Sequence, residues 1–346
     1  MAKLNFGVIG CGIQGTVLAR ALTGVEAGTI VTRYSALENA KITAVADINK
    51  EAARKFMKEF GVSTYFIRYE DLLDVKDIDA VMIALPHSDL ARAAIEALGA
   101  GKHVLLEKPM AISRTEARQI VNVAKNSKQK LMVGYSLRYS PSRLAMKNLL
   151  SRGAVGEADV VIAGKGGGPL WGWLLDPGKG GGIMRYLGVH VIDQILWMLG
   201  GEVIEAYGQV NFDPTHKCDE TNIFTLRFKS GLLASVCVAM PVNVPFDFVE
   251  VAGSEGTVRA DWIWCGDATM TVQSKNIHEY ESSAKIVFQD DPLTPMYRNE
   301  VADFVDCIVH DKPSPVTAEE GLKVLEIVDA VFESNRTGKP VQFPLT

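Results

Sequence analysis

Apolar positions in the first 135 residues switch repeatedly between strand-like runs and helix-like spacing. Phe6, Val8 and Ile9 form an apolar run that breaks at Gly10, and Val17, Leu18, Ala21 and Leu22 then recur with a helical period. Residues 41–46 read as a second strand, and 50–60 as a helix carrying Ala53, Phe56 and Phe60 on one side. The continuous run Val81, Met82, Ile83 within 79–85 predicts a strand buried on both faces, with a helix over 88–98 behind it. Residues 103–106 and 131–133 add two strands. Between them Ser113 opens a helix with Glu116 three residues on, the pattern of a capping box. Such alternation predicts a parallel sheet with helices on both faces, an α/β Rossmann domain over residues 1–135.

From residue 136 the pattern changes. A glycine-rich stretch and a helix over 183–199 are followed by strand-like segments at 204–210, 222–228, 232–240 and 246–251, with short turns such as Lys229-Ser230-Gly231 between them. Consecutive strands of this kind predict a mostly antiparallel sheet, so residues 136–346 read as an α+β domain. Two helices, over 297–310 and 318–335, close the chain and are free to pack back on the first domain.

Length agrees with two domains, because 346 residues exceed the roughly 250–300 at which single cores stop growing. With 47% hydrophobic and 22% charged residues the chain has the composition of a globular protein. A formal net charge of −5 supplies no excess of cations for a phosphate backbone, which argues against nucleic acid. No apolar run reaches the roughly 20 residues of a membrane span, and the N-terminus enters a strand without an export signal, so a cytoplasmic protein is expected. The cysteines at 11, 218, 237, 265 and 307 form no CxxC pair and read as reduced and structural, with no metal site. Cys11 sits in a glycine loop as a tolerated small residue more than as a reactive thiol.

That loop, Gly10-Cys11-Gly12-Ile13-Gln14-Gly15, is a GxGxxG placed after a strand and opening a helix, the context in which the motif binds a dinucleotide. Its first two glycines permit a tight turn and close approach of backbone N–H groups to a pyrophosphate. Asp47 ends the second strand, where a carboxylate accepts from a ribose diol and repels a 2′-phosphate, favouring NAD over NADP. The alternative for Asp47 is a turn cap. Its distance from Gly15 exceeds the usual spacing of about 20 residues, which predicts a surface insertion around residues 25–34.

The segment Leu106-Glu107-Lys108-Pro109, following Gly101-Lys102-His103-Val104, resembles the glucose-fructose oxidoreductase and inositol dehydrogenase family (Gfo/Idh/MocA). The resemblance covers nearly the whole chain. It takes in the GxGxxG loop, Asp47, the run Gly134-Tyr135-Ser136-Leu137-Arg138-Tyr139, residues 173–182, Gly188-Val189-His190 with Asp193, Asn299-Glu300 and Gly321-Leu322. It implies a nicotinamide cofactor, reversible hydride transfer at a secondary alcohol of a sugar, inositol or related polyol, and a homodimer or homotetramer built through the open sheet. It implies cofactor contacts from Gly10, Gly12, Ile13, Gln14, Gly15, Asp47, Leu85, His87, Glu107 and Lys108. Lys108 matches the lysine that touches substrate and cofactor, and His190 the acid–base histidine. Arg138, Trp173, Asp176 and Asp193 fall on the substrate side.

Three positions depart from the family pattern: Tyr186 stands where an aspartate is usual, Ser136 where an asparagine is usual, and Leu90 where a histidine is common. The first matters most. It interrupts the usual Lys-Asp-His set and makes Tyr186 a catalytic candidate beside Lys108 and His190.

Oxidising a carbinol requires a base at its oxygen. The imidazole of His190 has a reference value near 6.5 that suits this exchange, while an ammonium at Lys108 stabilises alkoxide character without losing its proton. On a continuous helix Tyr186, His190 and Asp193 fall at i, i+4 and i+7, on one face, so Asp193 can orient His190 and Tyr186 can offer a phenol to substrate. A satisfied core histidine and a packing tyrosine remain alternatives, and the choice of base between His190 and Tyr186 stays open. Trp171, Trp173, Asp176 and Lys179 precede the glycines, and indole faces suit the CH face of a sugar ring. Tyr297 and Arg298 are further candidates to face the cleft. A ketosugar reductase, a redox-neutral NAD-dependent glycosidase and a non-catalytic dinucleotide sensor are competing readings. The presence of Lys108 and His190 counts against the last.

Overall fold

The computed structural model describes residues 3–25, 36–262, 267–288 and 293–345. The insertion expected around residues 25–34 falls, except for Val25, outside these, and so does Cys265. The chain divides into two units, one of residues 1–139 with 293–322 and the other of 140–292 with 323–346.

In the first unit six strands form a parallel sheet: β1 (Leu4–Ile9), β2 (Ala40–Ala46), β3 (Thr64–Phe66), β4 (Ala80–Ile83), β5 (His103–Glu107) and β6 (Leu131–Gly134). Their spatial order is β3-β2-β1-β4-β5-β6, the Rossmann order, which reverses direction between β1 and β4. Every residue of β4 is buried, as its unbroken apolar run predicts for a strand covered on both faces. The helices are α1 (Ile13–Thr23), α2 (Lys50–Phe60), α3 (Tyr69–Leu73), α4 (His87–Gly99) and α5 (Arg114–Asn126). Their ends follow side-chain chemistry. Asn49 accepts the N–H groups of Glu51 and Ala52 at the start of α2, and Gly61 ends that helix in the left-handed region. At α5 Ser113 accepts from the Glu116 N–H, while Glu116 accepts from the Ile112 N–H, so the capping box closes one residue further back than its usual form. The late helix Leu293–Val309 packs on α1, and Phe304 meets Phe6 edge-on at 6.1 Å between ring centroids.

The second unit opens with α6 (Pro141–Ser151) and carries α7 (Val189–Leu199). Its sheet has nine strands: β7 (Ala158–Gly166), β8 (Val203–Phe212), β9 (Asp219–Phe228), β10 (Leu233–Ala239), β11 (Phe246–Gly253), β12 (Gly256–Asp261), β13 (Ala268–Ser274), β14 (Ala284–Phe288) and β15 (Val341–Gln342). Pairing is antiparallel except between β7 and β10. Side chains alternate buried and exposed along β9 and β10, so one face of the sheet is core and the other is open. We label the two late helices α8 (Leu293–Val309) and α9 (Ala318–Thr337).

One expectation is corrected here. The helix expected over 183–199 is interrupted: residues Met184–Gly188 form a π turn, and the α-helix proper begins at Val189. The Val189 N–H reaches back to the Met184 carbonyl, and the missing side chain of Gly188 admits the Met184 thioether where a Cβ would otherwise sit. The i, i+4, i+7 spacing of a continuous α-helix therefore applies only from Val189 on, where it covers His190 and Asp193, while Tyr186 lies in the π turn ahead of them. Among the described residues no helix is long and apolar enough to cross a membrane.

Candidate functional site

The site-bearing residues of the first unit lie just past the C-terminal ends of β1, β2, β4 and β5, the edge where open parallel sheets place their ligands. Gly10 turns the chain out of β1 at φ +96°, and a Cβ there would strike the Ala84 carbonyl oxygen. A Cβ at Gly15 would strike the Gly10 carbonyl, so this glycine allows the turn and α1 to pack together. Gly12 has nothing within 4 Å of its missing side chain. It begins α1 with no side-chain cap and no acidic residue in the first turn, leaving the N–H groups of that turn for an anion. These features fit the diphosphate of a dinucleotide. Ile13 is 76% exposed beside them.

Asp47 braces the same turn. One carboxylate oxygen accepts the Cys11 N–H at 2.7 Å and the other the Asn49 N–H at 2.7 Å. Asp47 is thus a turn cap as well as a ribose-facing candidate, since each oxygen keeps a second lone pair. Burial, reinforced by Asp47, pushes the Cys11 thiol up to about 12, which removes it as a nucleophile near neutral pH. Leu85 lies against Gly10, and His87, 4% exposed, is the first residue of α4.

Glu107 and Lys108 follow at the end of β5, and the Lys108–Pro109 peptide is cis. Gln14 of the glycine loop donates to a Glu107 carboxylate oxygen at 2.7 Å, and the Lys108 N–H donates to the other at 3.2 Å. The phenol of Tyr297 is hydrogen bonded to Gln14 and Ser136. Its ionisation is pushed up by burial, then by the charges of Glu107 and Glu300. The dinucleotide loop is in this way tied to the lysine through a polar chain. The sequence motifs name Gln14, Glu107 and Lys108 and leave the hydrogen bonds between them to the structure.

Arg138 is 5% exposed on the turn Ser136–Tyr139 and bonds Glu320 at 2.9 Å. Burial alone would raise the Glu320 carboxyl, but the Arg138 guanidinium and Thr317 hold it below its ordinary value. Leu90, where the family pattern favours histidine, is fully buried.

In the second unit the π turn sets Tyr186 half-buried, with its ring edge-on to Trp171 at 5.7 Å. Trp171 is 51% exposed, Trp173 is half-buried, and Asp176 is exposed with its side chain accepting the Gly178 N–H. His190 and Asp193 are buried on the first two turns of α7, and the His190 carbonyl accepts from Gln194. Sequence reasoning missed the residue that shapes this region. Asp219, 3% exposed on β9, accepts the Met184 N–H and the Asn222 side chain, each at 2.7 Å. It packs where a Cβ at Gly182 would be, at φ +105°. Asp219 thereby anchors the glycine loop to the start of the π turn that carries Tyr186. Its only signal in the sequence is an acidic residue at the start of an apolar strand.

Residues 4–135 match the model of an oxidoreductase family with an NAD-binding Rossmann fold, and 157–343 match that family's C-terminal alpha/beta domain. Among curated proteins the chain is 26% identical to an inositol 2-dehydrogenase from Rhizobium meliloti (strain 1021), over 96% of each sequence. Among solved structures it superposes on an aldose-aldose oxidoreductase from Caulobacter crescentus with a TM-score of 0.85 at 22% identity, covering 99% of this chain and 100% of the other. A levoglucosan dehydrogenase solved with NADH and levoglucosan gives a TM-score of 0.85 at 21% identity, with coverage of 99% and 100%. At these identities the structural likeness speaks for the fold alone.

Proposed function

Because the chain belongs to the Gfo/Idh/MocA oxidoreductases, whose two domain models span both its halves, we propose that it is an NAD-dependent dehydrogenase of sugars, inositols or related polyols. In this reading it moves a hydride between nicotinamide and a secondary alcohol or ketone. The observation that carries the proposal is the uncapped glycine turn at Gly12, wired through Gln14 and Glu107 to Lys108.

When bound, the nicotinamide supplies the hydride acceptor or donor. The chain supplies the rest. The N–H groups of the first turn of α1 hold the diphosphate, and Asp47 takes the adenosine ribose and disfavours a 2′-phosphate by charge. Leu85 and His87 flank the same crevice. Lys108 keeps its proton and stabilises the alcohol oxygen as it becomes alkoxide-like. His190 or Tyr186 accepts the hydroxyl proton, with Asp193 fixing the imidazole. Trp173 and Asp176 contribute an apolar face and an acceptor to a polyhydroxylated ring, and Arg138 contributes through its turn. The names of the inositol and levoglucosan relatives support this substrate class.

The test is a screen of inositols, aldoses and polyols with NAD and NADP, following absorbance of the reduced nicotinamide, with Lys108→Ala alongside. Turnover with NAD above NADP that the lysine variant loses supports the proposal. Full activity in that variant removes it. The same screen run with ketosugars and reduced cofactor reads the direction. Exposed apolar residues on the open sheet face, Val160, Ile162, Ile223 and Leu233, sit on three adjacent strands and support a homodimer or homotetramer formed through that face. Light scattering of the wild type against Ile162→Asp tests it.

A further inference from the structure

Within the first unit Glu300 is an anomaly. It lies on α8 at 0% exposure, and neither of its carboxyl oxygens has a hydrogen-bond partner. The charged neighbours that bear on it are Glu107 and Lys108. Glu107 is also buried, yet two N–H donors, from Gln14 and Lys108, point at its oxygens. Two carboxyls beside one ammonium cannot both ionise without leaving an uncompensated buried charge, so one of them must hold a proton. The donors decide which. Hydrogen bonds to Glu107 stabilise its charged form, and nothing does the same for Glu300.

We propose that Glu300 is kept as a neutral carboxylic acid beside an ionised Glu107, so that of these two carboxyls it is Glu107 that serves Lys108 as an anionic counter-charge. Glu300 is a positioning residue: it acts on substrate only through the charge state of Lys108. Its ionisation is pushed well above the usual carboxylate range by burial and then by the Glu107 charge, with Lys108 opposing. Glu107 is raised by burial and drawn back by Lys108, Gln14 and the Lys108 N–H. Charged or titratable groups nearby include Tyr297 and Arg298 on the same helix, Tyr139 and Arg138 on the turn after β6, and Asp303, which is bonded to the Tyr139 phenol. Both phenols are pushed up, first by burial, and stay neutral through the working range. Arg138 is committed to Glu320.

The arrangement has a use. A neutral Glu300 removes the second negative charge that would otherwise hold Lys108 too tightly, while its position beside Glu107 keeps that carboxylate out of water, where a single ion pair is strongest. Gln14 brings the glycine loop into the same network, so a cofactor seated on that loop acts on the carboxylate that sets the lysine.

The inference rests on the proposed role of Lys108, so its test begins with a measurement that needs no turnover. The full chain without cofactor, labelled with ¹³C at glutamate carboxyls, is followed by NMR and infrared spectroscopy at about neutral pH. One protonated glutamate signal is expected in the wild type. It should vanish in Glu300→Gln, and also in Glu107→Gln, where Glu300 is the carboxyl left beside Lys108 and ionises. Absence of the signal in the wild type, its persistence in Glu300→Gln, or its persistence in Glu107→Gln overturns the proposal. The second arm is the pH profile of kcat/KM. In the double variant Glu107→Gln/Glu300→Gln, which removes both carboxyls beside the lysine, the alkaline limb should move down by about one pH unit and the maximum fall about ten-fold. An unmoved limb refutes the counter-charge. A normal spectrum with no polyol turnover would instead sink the dehydrogenase reading and leave the buried acid standing.

Discussion

In the second unit Arg143, Lys165 and Asp247 are each at most 3% exposed, and every part of the trio is matched. One carboxylate oxygen of Asp247 takes the Arg143 guanidinium at 2.8 Å and the other takes Lys165, while a second Arg143 nitrogen donates to the Ala260 carbonyl. In the first unit Glu107, Lys108 and Glu300 are a comparable trio with the signs reversed, and there one carboxyl is left without a donor. The contrast separates two uses of buried charge. The cationic trio joins α6, β7, β11 and the end of β12, so its completeness holds a sheet and a helix together. The anionic trio sits at the ligand edge of a parallel sheet, where an unfinished network is free to respond to what binds. Buried charge is costly in both places, and only the second has a reason to leave the cost uncompensated.

The sharpest way to break this comparison is to remove the shared carboxylate of the complete trio. Asp247→Asn strands two buried cations and is expected to cost about 3–5 kcal/mol in urea unfolding, while kcat per folded molecule stays at the wild-type value. A large loss of kcat without loss of stability would mean that the second trio, too, serves catalysis.

The incomplete trio should answer the other way. Lys108→Ala is expected to lower kcat by about a hundred-fold or more, near 3 kcal/mol in the barrier, with a smaller loss of stability than Asp247→Asn, because Glu107 keeps its donors from Gln14 and from the backbone N–H of residue 108. Tyr186→Phe and His190→Ala, assayed together, then assign the proton. The true acid–base loses about ten-fold or more and its pH limb, and the other residue keeps the limb.

The Rossmann half was legible because its signals are local. Unbroken apolar runs and period-3.6 spacing, the Ser113–Glu116 capping pair and the glycines of the first turn each fix their own few residues. What the pattern missed, it missed for reasons of range. The short β3 and α3 carry too few residues to show a period. The π turn at Met184–Gly188 depends on Gly188 admitting a neighbouring thioether and on Asp219, 35 residues away, accepting the Met184 N–H. The partner of Arg138, Glu320, lies 182 residues on, and no local pattern announces it. Glu300 was visible as part of a family motif, but its missing partners can be read only from packing.

The buried acid of the first unit also predicts a stability signature of smaller size. A carboxyl raised in the folded state contributes stability that is fully present below its unfolded value near 4.3 and is lost as pH rises toward the folded one. Glu300→Gln has no proton to lose. Its melting temperature relative to wild type should therefore climb as pH rises above about 4, by about 2–4 °C for each kcal/mol recovered. A difference that stays flat across that range would place Glu300 among ordinary structural carboxyls.

The smallest effect concerns Arg138, and it decides on which side of the comparison that residue belongs. If the Arg138–Glu320 pair is a strut between the turn after β6 and the first turn of α9, Glu320→Gln should cost under about 1 kcal/mol. The Glu320 side chain is 36% exposed and its attraction to the guanidinium is screened by water. The KM for the polyol should then stay within about two-fold, because a strut holds no substrate. If Arg138 instead meets substrate, Glu320 is what aims it, and freeing the guanidinium should raise KM several-fold at unchanged kcat, the mark of binding lost equally from ground and transition states. Salt sharpens the reading: raising ionic strength should erase the stability difference of a half-exposed pair and leave a KM difference in place.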